Sequence, residues 1–489
     1  MISIGKQREC FFDDYLIDTL RTTAEIKVHN PVRREKILVQ NAPWEGCGCD
    51  FHNFFYDEEY GKYRLYYLGW KLGEDAKGSD GIRACYAESI DGINWEYPSL
   101  GLVEYGGSKD NNILLNSQMH PRLDNFMVFK DENPECPKNE RYKAILRTVL
   151  AGNPKEVLCD FCLKCMVSAD GIHFNYAWNI HEHGAYDSLN VAFWDANAKL
   201  YRCYFRGNHK VGDKNTDGKM GLEVRDIRYI ESKDFKNWSE PKMLDFGDFE
   251  DIPLYTNLCQ NYYRAPQYVI GFPTRYIERK RWTKNYDELC GKDKRLARMK
   301  GGEDRYGLVV TDCVFMASRD GVHFQRQDEA FMTPGPEFPE NWVYGDCYPF
   351  LGMIETPSQI PGADPEISVF AYNNHWMGFD YGTDVYRYTV RCDGFVSRHA
   401  GAVEKMVVTK PFVYDGRDMY ANISTSARGY IYFTLRSNDG EVIESCEMFG
   451  DSVDKKIGFE EGAVEALSGK EVVLEMRMLD ADIYSIRFE

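Results

Sequence analysis

The chain has 489 residues, with 59 Lys and Arg against 77 Asp and Glu, a formal charge of −18. That length exceeds one small domain, and a 43% share of hydrophobic residues is enough for a real core. The negative balance argues against nucleic acid and anionic membrane as partners, since both would repel the chain.

Aromatics reach 14%, with 33 Tyr, 28 Phe and 9 Trp, a composition that suits an all-β protein better than a helical bundle. No stretch approaches the roughly 20 apolar residues of a spanning helix. The start, Met1-Ile2-Ser3-Ile4-Gly5-Lys6, lacks the apolar run of a signal peptide. The 15 Cys are scattered and form no CxxC…CxxC framework, which reads as reduced thiols in a cytoplasmic protein. Cys47 with Cys49 and Cys162 with Cys165 are close enough to serve as metal or redox pairs, but buried thiols are the plainer reading. No cofactor and no metal is expected, and nothing in the sequence fixes an oligomeric state.

A short phrase organises the chain. It runs Ala87-Glu88-Ser89-Ile90-Asp91-Gly92-Ile93-Asn94-Trp95, then Val167-Ser168-Ala169-Asp170-Gly171-Ile172-His173-Phe174. A third copy, Glu231-Ser232-Lys233-Asp234-Phe235-Lys236-Asn237-Trp238, lacks the Gly. A fourth is Ala317-Ser318-Arg319-Asp320-Gly321-Val322-His323-Phe324, and a weaker fifth is Val390-Arg391-Cys392-Asp393-Gly394-Phe395. The aspartates stand 79, 64, 86 and 73 residues apart, a blade-sized period. Asp-Gly marks a hairpin turn, because Gly accepts positive φ and Asp caps its own turn. These five aspartates are therefore read as structural. A second hairpin precedes several copies, as in Phe54–Asp57 into Lys62–Tyr67, Met127–Asp131 into Arg141–Leu146, and Val191–Asp195 into Leu200–Phe205. Two hairpins per repeat make a four-stranded sheet, and five such sheets make a five-bladed β-propeller over residues 1–400. The basic stretch Arg279 to Lys300 has no sheet period and reads as an insertion or lid, with helix as one form. Residues 401–489 alternate β-branched and polar side chains and are expected to form a C-terminal β-sandwich.

Inner strands of a propeller begin near one mouth of its axis, so residues there converge from separate blades. Acids sit at these points: Asp50, Asp124, Asp187, the pair Glu250 and Asp251, and Asp346. Carboxyls brought together raise one another's pKa and yield an acid with a base or nucleophile, the equipment of glycoside hydrolysis. Trp44, His52, His120, Asn125, Asn190, Tyr255, Asn257, Trp342 and Trp376 could give a sugar its stacking platform and hydroxyl hydrogen bonds. Arg206, Arg264 and Arg275 could clamp a carboxylate or pair with the acids. His181-Glu182-His183 has metal-like residues but no further ligand nearby.

Cys10-Phe11-Phe12-Asp13-Asp14-Tyr15-Leu16-Ile17 resembles the start of bacterial proteins described as glycoside hydrolase family 32-like. So do Tyr86-Ala87-Glu88-Ser89 with Asn111-Asn112-Ile113, Leu254-Tyr255-Thr256-Asn257 with Arg264-Ala265-Pro266, and Trp342-Val343-Tyr344-Gly345-Asp346. The resemblance implies a propeller plus sandwich like the furanosidases of families 32, 43 and 68. It implies Asp50 as nucleophile or base, Asp187 as the residue that steadies sugar hydroxyls, and Glu250 or Asp251 as proton donor, with Asp346 an alternative acid. The chain lacks Asn-Asp-Pro-Asn-Gly around Asp50, Arg-Asp-Pro at Asp187 and Glu-Cys in the fourth blade; Arg225-Asp226-Ile227 is the nearest echo. The expected activity is hydrolysis of a small saccharide, a fructofuranoside or arabinofuranoside, with a noncatalytic sugar-binding propeller or a phosphorylase as alternatives.

Overall fold

The computed structural model describes residues 1–71, 81–120, 123–149, 161–213, 224–301, 304–339, 341–373 and 382–489. Five antiparallel sheets follow one another in chain order and form a five-bladed β-propeller. Blade 1 comprises Asp50–Asp57, Lys62–Gly69, Arg83–Ser89 and Trp95–Glu96, with Ile113–Asn116 added beside the third strand. Blade 2 comprises Asp124–Lys130, Tyr142–Val149, Phe161–Ser168 and Asn175–Gly184. Blade 3 comprises Val191–Asp195, Leu200–His209, Val224–Ser232 and Lys242–Met243. Blade 4 comprises Gln260–Asn261, Val269–Gly271, Met316–Ser318 and Gln325–Arg326. Blade 5 comprises Ile354–Thr356, Glu366–Asn373 and Thr383–Arg391, and takes its outermost strand, Val32–Gln40, from the start of the chain.

The density of aromatics follows from this stacking. Strand side chains alternate between faces, and each blade has a neighbour on both. In Lys62–Gly69, Leu65 and Tyr67 join a core shared with Phe350, Phe370 and Val385 of blade 5. Tyr66 and Leu68 point the other way, into a core with Phe126, Val128 and Tyr142 of blade 2. Burial of one large apolar side chain contributes about 1.5–3 kcal/mol, so both faces of one strand stabilise the ring. A cavity of about 230 Å³ is lined by the inner strands of blades 1 to 4, among them Asn53, Met127, Val191 and Gln260, and by Leu351 and Gly352 just before that of blade 5.

The repeated phrase is a latch as well as a turn. In the first copy Asp91 accepts the backbone N–H groups of Ile93 and Asn94 at 2.9 and 2.7 Å, and Ser89 Oγ accepts the Gly92 N–H at 2.9 Å. The same pattern returns at Asp170 and Asp320. The turn carbonyls are then taken by the preceding blade. Arg64 and Tyr66 donate to the carbonyls of Asp170 and Gly171 at 2.6 and 2.9 Å, and Arg202 and Tyr204 do the same to Asp320 and Gly321. A Cβ on Gly321, which sits at φ +82°, would lie 2.1 Å from Arg202 Nη1. In the third copy Phe235 adopts φ 61° in place of Gly and is fully buried against Tyr201 and Trp238. Packing there offsets the strain of a left-handed non-glycine residue. The fifth aspartate differs: Asp393 is buried and bonds Arg8, Tyr262, Arg264 and Ser485, tying the propeller to the C-terminal sheet.

The C-terminal part is one ten-stranded hydrogen-bonded sheet built on the long partners Met419–Ser437 and Glu471–Phe488. Both halves of these strands feed a single core that includes Ile423, Phe433, Met476 and Ile486. The start of the chain belongs to the same sheet, through Ile2–Gly5, Glu9–Cys10 and Glu25–Val28, as does Val396–Ala400. The insertion in blade 4 leaves the strand pair Thr274–Glu278 and Val309–Cys313 and contains the short helices Lys284–Glu288, Lys292–Gly301 and Arg305–Leu308. It packs on the loop before blade 5, where Cys290 N–H donates to Glu337.

Candidate active site

Each blade kinks where its inner strand begins. Phe51, Asn125, Tyr186, Leu258 and Cys347 all have positive φ, between 42 and 55°. Such residues cost on the order of 1–3 kcal/mol each and persist only where the surroundings over-determine them. In blades 1 and 2 the kink shifts the ladder register just after Asp50 and Asp124. The acids are thereby turned out of the regular ladder, at the mouth.

Three carboxyls feel one another there. Asp50 is buried and hydrogen-bonds the Trp70 indole; burial first, then the charges of Asp124 and Asp187, push its carboxyl well above the usual range. Burial pushes Asp124 up to about 6, with Arg147 opposing and Asp187 adding to the rise. Asp187 is held below the ordinary value, because the charges of Arg206 and Arg147 outweigh its burial. Arg147 Nη1 bridges Asp187 at 2.6 Å and Asp124 at 3.2 Å, and Arg206 Nη2 reaches Asp187 at 3.1 Å. The geometry has a simple origin: the inner strands of blades 1 and 2 begin with Asp50 and Asp124, Asp187 lies in the loop that enters the inner strand of blade 3, and the second strands of blades 2 and 3 carry Arg147 and Arg206 near their ends. Sequence reading missed Arg147. The signal was present in the matched phrases Tyr142-Lys143-Ala144-Ile145-Leu146-Arg147 and Tyr201-Arg202-Cys203-Tyr204-Phe205-Arg206. The basic second residue pairs with an acid at the inner strand's far end, Lys143 with Asp131 and Arg202 with Asp195, and the last Arg reaches the mouth.

A tyrosine wall flanks the acids. Tyr348, Tyr255 and Tyr276 stack in series with centroids 5.6 and 5.8 Å apart, and Tyr344 meets Tyr255 and Tyr276 edge-on. The Arg206 guanidinium lies 5.8 Å from the Tyr255 ring, and that of Arg225 lies 3.9 Å from the Tyr276 ring.

The other sequence-derived candidates are placed differently. His52 is buried, stacked at 4.1 Å on Phe350 and bonded to Gln40, a core role. Trp44 donates its indole N–H to Asn112, and Trp342 to the Gly335 carbonyl. Asn125 and Asn257 donate to the carbonyls of Tyr186 and Leu189 and so knit adjacent blades, while Asn190 donates to the Tyr186 carbonyl within its own loop. His120 lies in the turn after Ile113–Asn116, where burial and then Lys164 pull its imidazole below the ordinary value. Arg264 is in the hairpin that follows an inner strand, hence at the end of the propeller away from the acids, and pairs with Asp393 and Glu355. Arg275 is occupied by both oxygens of Asp312. Glu250 is exposed, and its carbonyl accepts from Arg326. Asp251 is held by His209 Nε2 at 2.8 Å, and His209 Nδ1 meets Asp226 at 2.9 Å, so the echo motif's Asp226 is a buried support. Asp346 accepts the Val343 N–H, and burial pushes it up to about 7 against its amide bonds and the charges of Arg295 and Arg33, which are its main influences. Trp376 lies outside the described residues. Cys47, Cys49, Cys162 and Cys165 are buried free thiols, and His181 bonds the Tyr186 hydroxyl. Among the described residues no group of three His, Cys, Asp or Glu is placed to hold a metal ion, and no helix is long and apolar enough to cross a membrane.

No family model matches the chain, and no curated protein matches it. Solved structures similar to it include an N-acetylgalactosamine deacetylase from F. plautii in complex with blood group B trisaccharide, 10% identical over 74% of this chain and 94% of that one, with a TM-score of 0.42. A fructofuranosidase from Schwanniomyces occidentalis complexed with fructosylnystose is 10% identical over 96% and 98%, at 0.37. An endo-arabinase from Bacteroides thetaiotaomicron is 12% identical over 75% and 99%, at 0.36. Likenesses this distant assign neither activity nor site residues, and the fold stands on the strand pairing described above.

Proposed function

We propose that the chain is a glycoside hydrolase that cleaves a glycosidic bond in a small saccharide, with furanosides the first class to test. One observation carries the reading: carboxyls from three blades share one mouth, where burial pushes Asp50 and Asp124 up while Arg206 and Arg147 hold Asp187 down. Environments that drive neighbouring carboxyls apart supply an acid and a base. Asp50 keeps its proton and is the donor to the glycosidic oxygen. Asp124, ionised above about pH 6, is the base that activates water. Asp187, clamped as an anion, faces the positive charge that develops on the sugar ring in the transition state. This exchanges the role that the family resemblance implies for Asp50, because a carboxyl kept protonated is a poor nucleophile. The test is turnover of a panel of aryl furanosides, aryl pyranosides and oligosaccharides. Hydrolysis of one class, reduced about 10²–10⁴-fold in Asp50→Asn, is expected, since that is the usual worth of a general acid. Full turnover in Asp50→Asn would remove Asp50 from the mechanism.

A noncatalytic sugar-binding propeller is the second reading. It is favoured by the Arg147 bridge, since a guanidinium on both Asp124 and Asp187 makes those carboxylates less available for chemistry. Calorimetric binding of a saccharide that is never turned over would select it.

A further inference from the structure

We infer that the ligand of this mouth carries an oxyanion: a saccharide bearing a carboxylate, sulfate or phosphate, or inorganic phosphate bound beside a neutral sugar. The inference deepens the glycosidase reading by naming a substrate class, but its geometry is independent of which carboxyl does the chemistry.

The charge at the mouth opposes that of the chain. The protein is acidic overall, at −18. Around Asp187, however, stand Arg147, Arg206 and Arg305, all of which act on its carboxyl. Arg225 is the fourth, and it acts with Asp187 and Arg206 on Tyr255. Four guanidiniums thus share the mouth with Asp187, and with Asp124 and Asp50, whose carboxyls burial pushes up. Arg147 and Arg206 are paired with Asp187, whereas among the described residues Arg225 has no carboxylate partner.

Arg225 is the residue left over. Its guanidinium lies flat over Tyr276 at 3.9 Å, a cation–π seat that orients it. Its Nε is buried without a hydrogen-bond partner, and among the described residues no carboxylate lies within ion-pair distance of it. A buried guanidinium N–H left unmade costs about 1–3 kcal/mol, so the site gains when an acceptor arrives. Arg206 and Arg147 also each keep a buried Nε with no partner, although their terminal nitrogens are on Asp187, and Arg206 is 5% exposed. Arg305 comes from the blade 4 insertion and donates to the hydroxyls of Tyr276 and Tyr306 at 3.3 and 3.1 Å, which brings a second guanidinium to the same ring that seats Arg225. Arg225 on the ring face and Arg305 on the hydroxyl thus bring two guanidiniums to one buried tyrosine, a paired-donor seat for an oxyanion.

The experiment is calorimetric titration of the full chain with D-galacturonate, its neutral parent D-galactose, and inorganic phosphate at low and high salt. At least one anion should bind tenfold or more tightly than galactose, with affinity falling as salt rises. Arg225→Met should lose about tenfold for that anion, and Arg225→Lys should recover part of it, which separates lost charge from a damaged fold. Preference for galacturonate identifies the anion as part of the saccharide. Preference for phosphate identifies a free acceptor, and sugar phosphate should then appear in place of reducing sugar. Equal affinity for galactose and both anions, or anion affinity unchanged in Arg225→Met, would overturn the inference. Anion binding without any turnover of anionic glycosides would leave it standing and count against the hydrolase reading alone.

Discussion

Arg147 of blade 2 reaches across a blade boundary to Asp187, with Nη1 2.6 Å from the carboxylate, and touches Asp124 of its own blade at 3.2 Å from the same nitrogen. One guanidinium therefore sets the charge of two acids. It also joins two blades at the end of the propeller where loops, rather than ladders, hold the ring.

Replacing Arg147 with Met should raise the Asp187 carboxyl, since one of its two main opposing charges is gone. The loss of stability should be about 1–2 kcal/mol, between an exposed pair and a fully buried one. Carboxyl titration by NMR and thermal melts read the two effects. An Asp187 that titrates unchanged in the variant would show that Arg206 suffices.

Asp50→Asn should melt higher than the parent while losing activity. Its folded carboxyl is raised well above the ordinary value of about 3.9. Its contribution to stability is thus complete below about pH 4 and is lost as pH rises towards the folded value. The Asn variant has no such loss, so the gap between the two melting curves should open as pH is raised from 4 upward. Sites tuned for chemistry often carry this cost, and relieving it typically restores about 0.5–2 kcal/mol. Parallel curves across that range would contradict the burial argument.

If Asp124 is the base, the rate on any hydrolysed substrate should climb with pH through about 6, where its carboxyl ionises. The upper limb belongs to Asp50 giving up its proton, and it should vanish from what remains in Asp50→Asn. A profile flat from pH 5 to 7 would exclude Asp124 from the rate.

Gly321→Ala should be among the most damaging single-methyl changes in the chain. The new Cβ would meet Arg202 Nη1 at 2.1 Å, and φ is +82°. A left-handed alanine and a displaced inter-blade guanidinium together should cost about 2–4 kcal/mol. Gly335→Ala is the control, with φ +75° but nothing within 4 Å, and should cost about 1 kcal/mol. Urea melts of the two variants compare them directly.

The blades were legible in the sequence because their signals are local. Ser89, Asp91 and Gly92 make a turn from six residues, and the unbroken run Leu65-Tyr66-Tyr67-Leu68 declares a strand with two buried faces. The acids at inner-strand starts were legible by position alone. Of what their carboxyls face, only Arg206 was legible as a partner for the acids; Arg147 and Trp70 were not, because they arrive from the ends of second strands and only the closed ring brings those ends to the axis. Glu250 and Asp251 looked alike in sequence; in the fold both are exposed, but Asp251 alone is gripped by His209, a contact spanning 42 residues. The positive φ at Phe51, Leu258 and Cys347 had no local signal either, since none of these residue types favours it.

The strand Val32–Gln40 is made early and used last. It completes blade 5 through partners such as Glu35 and Arg387, which lie 352 residues apart. At about 5–20 residues per second of synthesis, the segment waits roughly 20–70 s for the sheet it will edge. Until then it offers an unpaired flank to any other chain, and it needs chemistry that discourages strangers. Arg33, Arg34, Glu35 and Lys36 supply it: four consecutive charges on the edge of a ring that only the chain's own far end can shut.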